Sequence, residues 1–87
     1  MSVYVDDMKA GFGRMIMCHM IADSPAELLG MATKLNLNHN WIQAQGTHRE
    51  HFDICLSYRK KAVALGAKEV SQLDLGRMIV AKGKGAS

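Results

Sequence analysis

The junction MIMCHMIADSPAE, residues 15–27, constrains the fold most. Its first eight residues are an apolar run broken only by His19. That length suits a buried strand rather than a helix. Alternation puts Met17, His19 and Ile21 on one face and Cys18 and Met20 on the other. SPAE then signals a helix start: Ser24 can cap, Pro25 suits the first helical position, and Glu27 completes a capping box. Leu28, Met31, Ala32 and Leu35 follow at helical spacing. Asn36 is placed to end that helix in a left-handed conformation. A buried strand that feeds directly into a helix is a unit of an α/β sheet.

The remaining segments fit the same plan. SVYVD, residues 2–6, reads as a strand with Val3 and Val5 on one face and Tyr4 and Asp6 on the other. Residues 7–13 read as a loop, punctuated by Gly11 and Gly13. Residues 41–44 read as a short strand and 45–51 as a polar loop. A helix is expected from Ile54 to Leu65, with Asp53 as its N-cap and Gly66 as its stop. Residues 68–70 form a last strand, and SQLD at 71–74 opens another helix. The expected fold is α/β: one compact domain over residues 1–80, with a mixed sheet of about four short strands and about three helices. Residues 81–87 are expected to form a flexible basic tail.

An 87-residue chain buries only about 60% of its unfolded surface, so its core is thin and a homodimer would supplement it. The net charge is +3, but Lys82 and Lys84 lie in the expected tail. The remainder has nine basic and eight acidic residues, close to neutral, which is weak support for a nucleic-acid interface. The one basic cluster, Tyr58 to Lys61, spreads around a helix and reads as solvated surface. Cys18 and Cys55 show no CxxC spacing and read as buried free thiols. The N-terminus carries acids where a signal peptide needs bases, and no apolar window reaches the ~18 residues of a membrane span. The expectation is a protein of the bacterial cytoplasm without membrane contact.

Ligands in open α/β sheets bind beyond the carboxyl ends of the strands. Asp6, Asp7, Asp23, His48, His51, Asp53 and Ser71 fall at such ends. They share one rim if the first strand is parallel to the others; if it is antiparallel to the second, Asp6 leaves the group. In a metal reading, Asp6, Asp23 and Asp53 supply oxygen ligands for magnesium or manganese, and His19 or His51 joins a manganese or zinc site. The helix starts at Ser24 and Ile54 would face the same rim and favour phosphate. In a metal-free reading, His51, Asp53 and His19 perform acid–base chemistry, although no Ser or Cys stands beside them as a nucleophile. In a third, Tyr4, Phe12, Trp41 and Phe52 supply contacts to a protein partner. Plainer roles compete: helix capping for Asp53, loop amides for Asp6, and a hydrogen-bonded core position for His19.

VYVDDM, FGRMIMCHMIADSPAEL and HFDICLSYRKKAVALGA together resemble the small family catalogued as domain of unknown function 4031, found in bacteriophages and actinobacteria. The resemblance picks out Asp6, Gly13 with Arg14, Cys18 with His19, Asp23, Glu27 with Leu28, His51 with Asp53, and Gly66 with Ala67. Phe52 stands where the family pattern has tyrosine, and Asn36 where relatives tend to have glycine. The resemblance implies a phage-type or bacterial protein and no particular reaction. The expected site therefore comprises Asp6, His19, Asp23, His51 and Asp53, with Arg14 as a positive partner. The expected function is binding, and by extension hydrolysis, of a phosphate-containing ligand such as a nucleotide or nucleic acid, with a divalent cation. The alternative is a phage accessory protein that binds a host or phage protein without catalysis.

Overall fold

The computed structural model describes residues 2–85. The elements run β1 (Val3–Val5), β2 (Ala10–Phe12), β3 (Met15–Ala22), α1 (Pro25–Lys34), β4 (Phe52–Cys55), α2 (Leu56–Ala64), β5 (Lys68–Glu69) and α3 (Gln72–Gly85), with a 3₁₀ turn at His39–Trp41 between α1 and β4. The sheet is mixed: β1, β2 and β4 pair antiparallel with β3, and β5 joins β1 in parallel. This is the small α/β domain that the junction at residues 15–27 predicts.

β3 is the spine. Along one edge it pairs first with β2, Phe12 opposite Met15 to Ala10 opposite Met17, and then with β1, Val5 opposite Met20 to Val3 opposite Ala22. Between these ladders four residues, 6–9, face only two, 18 and 19. The arm thus carries a wide bulge, and Lys9 takes up part of the bend with φ of 50°. A turn at Gly13, φ 61°, closes the hairpin.

The two faces of the sheet differ. Val5, Met20, Ala22, Phe52 and Ile54 pack with Leu28, Met31 and Ala32 of α1 and with Ala62 of α2 to form the core. On the opposite face, Tyr4 and Ile21 line a cavity with Met78 and Lys82 of α3, and Lys82 Nζ donates to the Ala22 carbonyl. The chain is a three-layer sandwich, with the thinner layer of apolar contacts under α3.

The caps of α1 are as expected. Ser24 accepts from the Glu27 N–H at 3.3 Å and donates to the Glu27 carboxylate at 2.9 Å. Pro25 opens the helix, and Asn36 leaves it at φ 60°. Gly66 ends α2 at φ 108°, a left-handed value that favours glycine.

Four segments depart from expectation. Residues 41–44 are not a strand: Asn38 Oδ1 accepts from the Asn40 N–H at 2.9 Å and winds the 3₁₀ turn, leaving Gln43 paired alone with His51. The helix expected from Ile54 begins at Leu56, and Asp53 does not cap it; Cys55 holds that position. Phe52 and Ile54 alternate with Asp53 and Cys55 in burial, so period-two packing prevails over the capping signal. The expected loop at 7–13 contains β2. The expected tail is helical to Gly85, because α3 continues over the sheet with Lys82 bonded to Ala22; Ala86 and Ser87, and the side chain of Phe12, lie outside the described residues.

Candidate functional site

Asp6 begins the bulge and is fully buried. The ladder is interrupted there, and its carboxylate replaces the missing partner. Oδ1 accepts from the backbone N–H of His19 at 2.7 Å and of Met8 at 3.2 Å. Oδ2 accepts from His19 Nδ1 at 2.8 Å. On the far side, Arg59 Nε donates to the Asp6 carbonyl at 2.7 Å. An ionised carboxylate only accepts, so Nδ1 carries a proton, and in the neutral ring Nε2 then presents a lone pair.

Directly across the ladder His19 faces Asp53. His51, two residues before Asp53, shares that face of the chain. Its Nδ1 lies 2.6 Å from the Arg49 carbonyl, so this ring also holds its proton on Nδ1 and presents Nε2. The two Nε2 atoms lie 3.7 Å (His19) and 3.5 Å (His51) from Asp53 Oδ1, too far for good hydrogen bonds. The rings meet edge to face with centroids 5.3 Å apart. Gln43 Nε2 donates to the other oxygen, Oδ2, at 2.5 Å. Asp53 Oδ1 is buried and has no hydrogen-bond partner.

With both rings neutral, three acceptors converge with no donor among them. Their ligand atoms all lie within 4.8 Å of one another. A shared cation resolves such an arrangement. Ligands of one tetrahedral zinc lie about 3.4 Å apart for bonds of about 2.1 Å, within a few tenths of the two carboxylate–imidazole spacings. The supporting bonds match what metal-bound histidines need, since each ring N–H is held by a carboxylate or a backbone carbonyl. A cavity of about 370 Å³ opens beside the cluster, lined by His19, His51, Arg49 and residues of α3 including Gln72, Leu75 and Ile79.

The expected residues are therefore divided. His19, His51 and Asp53 come together in mid-sheet rather than at a rim, and Asp6 supports His19 from behind. β1 is antiparallel to β3, yet Asp6 stays with the group because the group is not at a strand end. Asp23 lies at the other end of β3, where it accepts from the Ser2 N–H at 2.8 Å and the Tyr4 hydroxyl at 3.3 Å. Burial, reinforced by Asp23, raises the Tyr4 phenol above its ordinary value. Arg14 is exposed at the hairpin turn, five residues before His19; the arginine that lines the cavity is Arg49. Sequence reasoning missed Arg49 and Gln43. Arg49, His51 and Asp53 alternate in HREHFD, a strand pattern that would have found Arg49; nothing local marks Gln43.

Cys55 lies on the same face, two residues beyond Asp53. Burial works to raise its thiol, but hydrogen bonds from the Ser57 hydroxyl and from the N–H groups of Tyr58 and Ser57 hold it below the ordinary value. No helix among the described residues is long and apolar enough to cross a membrane.

The chain matches the family model described as "Protein of unknown function (DUF4031)" over residues 3–82, and it belongs to that family. No curated protein and no solved structure matches it.

Proposed function

We propose that this protein binds a divalent metal ion through His19, His51 and Asp53, and that the ion, with Arg49 beside it, takes the phosphate of a phosphate-containing ligand. The observation that carries the reading is the buried Asp53 Oδ1, which has no hydrogen-bond partner and faces the Nε2 atoms of two imidazoles. Two nitrogens and one oxygen suit zinc or manganese better than magnesium, which prefers oxygen. Three protein ligands leave positions open toward the cavity, the arrangement of sites that exchange water for substrate. Such an ion makes a bound water acidic. Held by His19, His51 and Asp53, it would supply the nucleophilic water for hydrolysis of a phosphate ester. The free thiols of Cys18 and Cys55 accord with a bacterial cytoplasm as the setting.

Calorimetric titration of the metal-free protein with zinc, manganese and magnesium tests the centre. One zinc or manganese per chain is expected. At 100 times its dissociation constant the ion adds about 2.7 kcal/mol, a rise in Tm on the order of ten degrees for a domain of this size. His51→Ala removes both signals. Binding unchanged in that variant, or no binding at all, refutes the centre.

A further inference from the structure

A second cavity, of about 330 Å³, adjoins the candidate metal centre and is lined by Met15, Met17, Trp41, Gln43, Asp53 and Tyr58 among others. Two of these residues belong to the centre: Asp53 is the proposed metal ligand, and Gln43 holds its second oxygen. The trough therefore reaches the centre at Asp53, and it shares no lining residue with the cavity beside His19, His51 and Arg49. Its walls are mainly apolar apart from that end. Its outer edge is Trp41, the single tryptophan of the chain, 60% exposed although it is the largest apolar side chain available to a thin core. Trp41 lies two residues before Gln43, a backbone reach of at most about 7 Å.

We infer that the ligand is a mononucleotide, its phosphate on the metal ion and its base against Trp41 in this trough. The inference rests on the metal reading above. A phosphate-bearing molecule whose other end fits a mainly apolar slot beside a rigid indole needs a flat aromatic group, and a nucleobase supplies one. A cavity near 300 Å³ lies at the small end of ligand sites, the scale of one nucleotide rather than a strand. The charge distribution agrees. Eleven basic residues stand against eight acidic ones, a net charge of only +3 over 87 residues, so the chain offers no broad field for a polyanion.

The test uses the intact protein loaded with manganese, titrated in turn with AMP, ribose 5-phosphate and an eight-residue single-stranded oligothymidylate. AMP is expected to quench the Trp41 fluorescence and to bind roughly 5- to 150-fold more tightly than ribose 5-phosphate, the span that base stacking contributes. Trp41→Ala should bring AMP down to the level of ribose 5-phosphate, and Trp41→Phe should keep most of the difference. Neither should change manganese affinity, because Trp41 is exposed and donates to no metal ligand. Equal binding of AMP and ribose 5-phosphate, or an unaltered preference in Trp41→Ala, overturns the inference while the metal centre stands. Oligothymidylate binding tenfold tighter than AMP also overturns it, in favour of a nucleic-acid strand. Failure of manganese to bind in the absence of nucleotide overturns the centre, and this inference with it.

Discussion

The imidazole of His19 donates from Nδ1 to Oδ2 of Asp6 at 2.8 Å, and the same carboxylate accepts the backbone N–H of His19 at 2.7 Å. One buried side chain thereby sets both the backbone position and the tautomer of a residue on another strand. The bulge that leaves Asp6 free to do so is the origin of the site's geometry.

Asp6→Asn separates these two tasks. The amide oxygen can still accept the N–H groups of His19 and Met8, so the fold should survive. The amide NH₂ now points at Nδ1 and drives the ring proton to Nε2, against the ion. Metal affinity should fall about 10- to 100-fold, the usual cost of losing a supporting partner. Calorimetry gives the affinity, and a urea melt of the same variant shows whether the fold is retained.

Gln43→Ala frees Asp53 Oδ2 while the backbone pairing of residue 43 with His51 remains. The carboxylate loses its orientation, and metal affinity should drop over the same range of about 10- to 100-fold. A loss below twofold would show that β4 alone orients Asp53.

Metal binding should weaken on acidification. Both Nε2 atoms must be unprotonated to hold the ion, so protons compete with it and affinity rises with pH. Titrations in buffers of different ionisation enthalpy measure the protons released. A pH-independent affinity in the acidic range would contradict ligation by His19 and His51.

Cys55 should alkylate at lower pH than an ordinary thiol. Its folded value is lowered, so the thiolate fraction at neutral pH is larger than in a free cysteine. Ser57→Ala removes one of the hydrogen bonds responsible and should shift the pH–rate profile of iodoacetamide labelling upward. Cys18 is fully buried and should label only on unfolding, which provides an internal control.

The sequence makes the spine of the fold legible. The apolar run at 15–22 and the SPAE signal define β3 and α1 because each is a local pattern with one physical solution. Asp53 is harder to read. A residue at the edge of a helical pattern is a natural cap, and only the pairing of β4 with β3 shows that Phe52 and Ile54 belong to the core. His19, His51 and Asp53 are recognisable as polar groups in or beside apolar segments, but their meeting point depends on strand register. Asp23 resembles Asp6 in sequence, yet it lies apart from the cluster and bonds the start of β1. Gln43 reaches the site from a turn that Asn38 winds, a contact across ten residues with no periodic signature.

The surplus of two residues in the β1–β2 arm has one more consequence. A plain hairpin of this length can slide along its partner in steps, each trading one set of backbone bonds for an equivalent set. This one cannot. A slip by one place would set Asp6 against Cys18 or Met20, which offer its carboxylate no ring donor, and would turn the apolar face of the arm toward α3. The unequal lengths of the two arms therefore work as a key in a slot: they admit a single alignment, the one in which His19 meets Asp6 on one side and Asp53 on the other.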